Sequence, residues 1–306
     1  MDQQPDQPER PGPTVSEAMI AAAARVAADV GADAIVVSGN SVPSLDALSS
    51  LLDKRRRLIV ASSLPGQIEA AGRLTRHVLE IPSVQLSRQD QVKMAMLLAF
   101  SHRMIQPGQR FVFLTGVAGR PLDTLGVMQV GEESELFQTV DQPQLTEHIR
   151  RIVFRRVLTL ALELASEGRE GKPVGAIFVI GDDKEVQRLS QQNILNPVQG
   201  YPEKQRNILD DRMAQTIKEF STIDGAFVIR GNGVVVSAGT TLRPNISGQP
   251  LPQGLGARHA AAAAITASTQ SIAVTLSESD GTVRVWRRGQ MITEIEKAKP
   301  LAAGRE

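Results

Sequence analysis

The sequence predicts an α/β protein in two parts, an N-terminal mostly parallel sheet with helices on both faces and a C-terminal mixed sheet flanked by helices. Three observations predict it. Helical and strand patterns alternate from Val15 to Val130, as parallel strands with crossover helices require. A long amphipathic signal then divides the chain, with Ile149, Ile152, Val153, Val157, Leu160 and Leu164 recurring at spacings of three and four between arginines. Beyond it the rhythm changes to strands joined by glycine turns.

The elements follow in order. Val15 to Val30 reads as a helix, with Ser16 as N-cap and Gly31 closing it. Asp33 to Ser38 is a short apolar run closed by Gly39-Asn40, as a buried strand is. Helix Ser44–Leu52 leads to strand Leu58–Ser62, helix Gly66–Leu74 to strand Val78–Ile81, and helix Arg88–Ile105 to strand Arg110–Thr115. A second apolar run, Val127 to Val130, completes this half. The long helix lies between Pro143 and Gly168, and strand Val174–Ile180 and helix Glu185–Gln192 follow it. Helix Asp210–Phe220 feeds strand Ile223–Ile229, and Gly231-Asn232-Gly233 turns the chain back as a hairpin through Val234 to Ser237. An Ala-rich helix, Ala257–Ala267, precedes strands Ile272–Leu276 and Thr282–Trp286, joined across Asp280-Gly281. A length of 306 residues suits about two domains at ~100–200 residues each. The expected division is a disordered tail over 1–14, one domain over 15–140 and a second over 141–306. A boundary at Gly168 is the alternative; the earlier one is favoured because the long helix runs directly into a strand it can pack on.

Composition narrows the function. With 34 Lys+Arg against 33 Asp+Glu, the net charge of +1 sets up no field to gather nucleic acid or an anionic membrane. Nucleic acid is not an expected partner, and any bound anion must be caught by a local site. Cysteine is absent, which removes disulfides, thiolate metal sites and a Cys nucleophile. No apolar stretch approaches the ~20 residues of a membrane span, and Met1 to Pro13 lacks the pattern of a signal peptide. A cytoplasmic protein without membrane contact is expected.

Two groups of residues can carry chemistry. Arg258-His259 lies in the first turn of the Ala-rich helix, where backbone N–H groups are unpaired and the helix dipole is positive. Gly254 and Gly256 allow close approach, and Arg258 adds a planar fork for phosphate oxygens, so the segment forms a phosphate cradle. The plainer alternative has Arg258 paired to a surface acid and His259 packed on a strand. Asp224 interrupts the apolar run from Ile223 to Ile229 beside Gly225 and Ala226. A carboxylate there can hold a divalent cation or take a proton from a hydroxyl, or it can simply cap a turn. Ser277-Glu278-Ser279 ends a strand, where polar residues either line a ligand crevice or begin a turn.

Taken in order, Asp224-Gly225-Ala226, Ala238 to Leu242, Gly256-Ala257-Arg258-His259 and Ser277-Glu278-Ser279-Asp280-Gly281 resemble the diadenylate cyclase domain, the nucleotide-binding domain shared with the DNA integrity scanning protein. The resemblance spans roughly Glu147 to Glu294. It implies two ATP joined into cyclic di-AMP by a homo-oligomer of at least two chains, with a Mg or Mn divalent cation. It implies that Asp224 is catalytic and supports the metal. It also implies that Gly256, Arg258, His259 and Ser277 hold the triphosphate, that Glu278 is a further substrate-binding residue, and that Gly225, Ala226, Leu242 and Ala261 lie near ribose and adenine. Many members have Thr and Arg flanking the Arg-His pair, where this chain has Ala257 and Ala260; the run Arg258 to Ala262 with Ile265-Thr266 is closer to the archaeal-type branch. The N-terminal half, over about 15 to 137, resembles the C-terminal α/β domain of pyruvate kinase through Asp90 to Ala95, Leu114 to Gly119, Leu122 to Leu125 and Val130 to Glu133. That resemblance implies a scaffold, oligomerisation or effector-binding role. A nucleotide sensor without turnover, or a regulatory protein built on the N-terminal half, are the competing functions.

Overall fold

A computed structural model of the protein describes residues 13–42, 44–53, 55–130, 148–244 and 256–296. The expected tail up to Gly12, the boundary near Asp141 and Gly254-Leu255 lie outside the described residues.

In the N-terminal half the elements are α1 (Val15–Asp29), β1 (Ala34–Ser38), β2 (Arg57–Ser62), α2 (Pro65–Leu74), β3 (His77–Glu80), α3 (Arg88–Ser101), β4 (Arg110–Thr115) and β5 (Thr124–Gln129). The strands form a sheet in the order β3-β2-β1-β4-β5, parallel except for the antiparallel pairing of β5 with β4. Period-two alternation along β1 sends Ile35 and Val37 to a core shared with Ile20, Ala23 and Ala27 of α1, and Ala34 and Val36 to the opposite core, with Met94 and Leu97 of α3. Both faces are therefore covered by helices, as the alternation of patterns predicts.

Three local expectations change. Thr14, not Ser16, caps α1: its hydroxyl accepts from the Glu17 amide and the Glu17 carboxylate accepts from the Thr14 amide, a reciprocal capping box. Leu45 to Leu51 winds as a 3₁₀ helix, with the Ser44 side chain accepting from the Asp46 amide. The helix from Arg88 stops at Ser101, because Arg103 takes a left-handed φ of 56°.

The C-terminal half runs α4 (Arg151–Glu167), β6 (Ala176–Ile180), α5 (Asp183–Arg188), β7 (Ser190–Gln192), α6 (Asp211–Phe220), β8 (Ala226–Ile229), β9 (Val235–Leu242), α7 (Ala257–Ser268), β10 (Ile272–Leu276), β11 (Val283–Arg287) and β12 (Gln290–Ile295). Its sheet has the order β12-β11-β10-β6-β8-β9-β7, mixed because only β6 and β8 pair in parallel. Phe178, Ile180, Phe227 and Ile229 face α4, while Ile177, Val179 and Val228 face Ala262, Ala263 and Ile265 of α7. The alanines thus let α7 lie close on the sheet. The end of the predicted helix Glu185–Gln192 is instead β7, and β12 is a strand that the sequence pattern did not reveal. Arg288 and Gly289 join β11 to β12 with φ of 49° and 78°, a two-residue turn of the kind that matches strand twist.

The two halves share one core. The cluster that holds Val36, Ile59 and Phe111 of the first sheet continues through α3 and α4 to Val274 and Ile295 of the second. Asp90 of α3 accepts from the Glu296 amide just beyond β12 at 3.4 Å, and Arg155 of α4 pairs with Glu80 of β3.

Candidate active site

A cavity of about 1130 Å³ opens along the edge of the second sheet where β6 and β8 begin and β9 and β10 end. Register explains the convergence: Ala226 lies opposite both Ile177 and Thr240, and Leu276 lies opposite Ala176, so these strand ends form one row. The start of α7 closes the same edge. The ten residues to which the resemblance gives a role all line this cavity: Asp224, Gly225, Ala226 and Leu242 from β8 and β9 and the bend before β8, Gly256, Arg258, His259 and Ala261 from the start of α7, and Ser277 and Glu278 beyond β10.

At the start of α7, Gly256 is the N-cap and offers no side-chain acceptor. Its carbonyl accepts from the His259 and Ala260 amides at 3.0 and 3.2 Å, so helix geometry leaves the Ala257 and Arg258 amides without an intrahelical acceptor. The Arg258 side chain, 33% exposed, is held between two acids, Nη2 3.3 Å from Asp224 Oδ1 and Nη1 3.1 Å from Glu278 Oε2. It lies directly over Gly175, where a Cβ would stand 2.3 Å from Nη1. Pairs this exposed contribute little to stability, so Arg258 can exchange its carboxylates for phosphate oxygens at small cost.

Asp224 corrects one expectation. It does not lie in a buried strand: β8 starts at Ala226, and the Asp224 side chain is 96% exposed. The cause is Gly225, whose φ of 119° turns the chain before the strand begins. A Cβ on Gly225 would come within 2.6 Å of the Gly239 carbonyl carbon and the Thr240 amide, so β8 and β9 can meet here only through glycine. Asp224 therefore stands free at the cavity mouth with Arg258 as its partner.

His259 behaves differently from its neighbour. Its ring is buried, 6% exposed, tilted against Trp286 with centroids 6.1 Å apart, and its Nε2 is 3.1 Å from Nη1 of Arg284 on β11. Nδ1 is buried without a hydrogen-bond partner. Burial, reinforced by the Arg284 charge, pushes the imidazole pKa below its ordinary 6.5. Packing on a strand and lining the cavity thus hold together for this residue. The same is true of Ser277, which lines the cavity while its amide donates to the Thr282 carbonyl at 3.0 Å across the turn.

Ser279, read with Ser277 and Glu278 as crevice or turn, also lines the cavity, as do Lys172 and Thr241, to which the sequence reading gave no role. Among the described lining residues Lys172 and Arg258 are the fixed cations, and Arg258 pairs with the carboxylates of Asp224 and Glu278. Among the described residues no three His, Cys, Asp or Glu side chains cluster to hold a metal alone. The donor set nevertheless fits Mg²⁺ or Mn²⁺ bound with a nucleotide, since such ions take one or two carboxylates and draw their other ligands from phosphates and water. No helix among the described residues is long and apolar enough to cross a membrane.

Two family models match separate stretches of the chain. Residues 163–291 match the family described as "DisA bacterial checkpoint controller nucleotide-binding", and residues 16–139 match the family described as "Probable sensor domain DacZ_P". A diadenylate cyclase of Methanocaldococcus jannaschii is 41% identical over 207 residues, which cover 65% of this chain and 63% of that protein. A diadenylate cyclase of Haloferax volcanii is 35% identical over 221 residues, 71% of this chain and 79% of that protein. The chain thus spans a little under two thirds of the first relative and more than three quarters of the second. Among solved structures, DacA of Staphylococcus aureus aligns with 48% of this chain and 87% of its own at 19% identity and a TM-score of 0.32. A Cryptosporidium parvum pyruvate kinase aligns with 39% of this chain and 23% of its own at 18% identity and a TM-score of 0.33. These two likenesses are too slight to carry an argument. The family that matches the N-terminal half is this sensor domain, and the expected kinship with pyruvate kinase finds only that slight likeness.

Proposed function

We propose, because this chain belongs to the diadenylate cyclase family, that it condenses two ATP into cyclic di-AMP and releases two pyrophosphates. The observation that carries this reading is the single cavity in which the bend at Asp224, the start of α7 at Arg258 and the end of β10 at Ser277 meet. Its volume is ample for a nucleoside triphosphate, ligand pockets commonly measuring about 300–1,000 Å³.

The chemistry follows from the arrangement. Arg258 and the free amides at the start of α7 bind phosphate oxygens. In each of two steps a 3′-hydroxyl oxygen bonds to an α-phosphorus of the other nucleotide, the bond to the β-phosphate oxygen breaks, and pyrophosphate leaves with that electron pair. Asp224, exposed at the mouth, accepts the hydroxyl proton and then passes it to solvent. A Mg²⁺ or Mn²⁺ ion held by Asp224 and the triphosphate would offset phosphate charge and favour the attack. One cavity holds one ATP, so two chains must oppose their cavities, and alignment supplies much of the rate. A homodimer is the smallest assembly that satisfies this. The domain division near 141, a cytoplasmic location and a scaffold or sensing role for residues 15–140 belong to the same proposal.

Mass spectrometry of products from ATP and Mn²⁺ tests it. Cyclic di-AMP should form with wild type and fall to background with Asp224→Asn; equal yields from the two proteins would sink the reading. A nucleotide sensor without turnover is the second reading, favoured by Ala257 and Ala260, which stand where many members have Thr and Arg; among the described lining residues Arg258 and Lys172 are the fixed cations. Calorimetric ATP binding with no product would decide for it.

A further inference from the structure

The buried His259 ring has one nitrogen satisfied and one orphaned, and its neighbour settles which of them carries the proton. A guanidinium has donors only. Because Arg284 Nη1 lies 3.1 Å from His259 Nε2, that nitrogen must present a lone pair, and the ring proton of the neutral imidazole sits on Nδ1. Nδ1 finds no acceptor in the protein. A buried donor left unmatched is costly and rare in folded proteins, and this one belongs to a residue lining the cavity at the start of α7.

Arg284 is itself fixed on every side. Its side chain is 12% exposed, with Nε 3.0 Å from Glu294 Oε2 of β12 and Nη2 3.6 Å from Asp280 Oδ2 in the turn after β10. Burial opposes ionisation of Asp280, yet hydrogen bonds from Ser277 and Thr282 together with the Arg284 charge hold its pKa down at about 2. A chain of contacts thus runs from Ser277 through Asp280 and Arg284 to His259, joining the strand end and the helix start that frame the cavity. The groups facing the imidazole are Arg284, Asp280, Arg258 and the Trp286 ring.

We propose that Arg284 is a positioning residue: by donating to Nε2 it locks His259 as the Nδ1–H tautomer, and that N–H is the donor a phosphate oxygen of the nucleotide accepts from. The inference rests on the cyclase reading for the identity of the ligand but not for the tautomer. It adds a neutral, directional donor beside the charged fork of Arg258, and it places the control of that donor on β11, outside the sequence motif.

Nitrogen NMR of ¹⁵N-histidine-labelled full-length protein tests it, with the non-hydrolysable α,β-methylene analogue of ATP as the probe. Wild type should show His259 protonated on Nδ1, with the Nδ1 signal moving when the analogue binds. Arg284→Met should release the ring to the Nε2–H form and weaken the analogue by about tenfold, the worth of one hydrogen bond. Arg284→Lys, still a donor without acceptor capacity, should keep the tautomer and most of the affinity, which a purely structural role for Arg284 would not require. An Nε2–H ring in wild type, an Nδ1–H ring persisting in Arg284→Met, or an Nδ1 signal indifferent to the analogue would each overturn the proposal. If Arg284→Met does not fold, the wild-type and Arg284→Lys spectra decide by the same criteria. Wild type that binds the analogue yet makes no cyclic di-AMP from ATP would refute the cyclase reading and leave the tautomer result standing.

Discussion

Gly225 bears more on the site than its missing side chain suggests. Its φ of 119° and the 2.6 Å a Cβ would leave to the Gly239 and Thr240 backbone both exclude another residue. Gly225→Ala should lower stability, on the order of 1–3 kcal/mol from the backbone conformation alone, and displace Asp224. Urea unfolding would show the first effect and nucleotide binding the second; an unshifted midpoint would refute the argument. His259 carries a pH dependence of definite sign. Its folded pKa lies below 6.5, so as pH falls through 6.5 the unfolded chain takes up the proton first and stability is lost. Burial lowers His77 and His102 likewise, in the same direction. The urea midpoint should therefore drop between about pH 7.5 and about pH 5.5, and a flat or rising midpoint would contradict it. Arg258-His259 was legible in the sequence because a helix start following a glycine has local chemistry. Arg284 and Gly175 were not, because their meaning comes from contacts with α7 made across the sheet.

At the scale of elements, the sequence showed strands and helices wherever period and punctuation agreed. It hid β12 because its turn is Arg288-Gly289 rather than Asn-Gly or Asp-Gly, and only the left-handed φ of Arg288 makes the hairpin. The composition of α3 does not announce its setting. It opens Arg88-Gln89-Asp90-Gln91 and contains Lys93, yet nearly every residue from Asp90 to Ser101 is buried. The polar ones are matched internally: Gln91 accepts from Ser38 and Thr115 and donates to the Gly116 carbonyl, while Lys93 lies 3.8 Å from Asp90. Leu97→Ala in this helix should cost about 2–5 kcal/mol, the range for truncating a fully buried leucine. Thr14→Ala, which removes the hydroxyl of the capping box of α1, should cost about 0.5–2 kcal/mol. Chemical denaturation of both variants would check the order, and an α3 variant no weaker than the cap variant would refute the packing argument.

For the whole molecule, the two-part organisation was legible but the junction was not, because contacts between halves leave no periodic trace in either. One apolar cluster runs from the first sheet through α3 and α4 into the second. Calorimetry should accordingly show a single cooperative transition for both halves, and two separate endotherms would contradict a shared core. The same helix bears on recombination among relatives. A chimera joined within residues 131–147 would set α3 of one parent against β12 of another, leaving Asp90 facing a surface that did not evolve with it. Functional hybrids should therefore require α3 and β12 to be inherited together, although they belong to different halves of the chain.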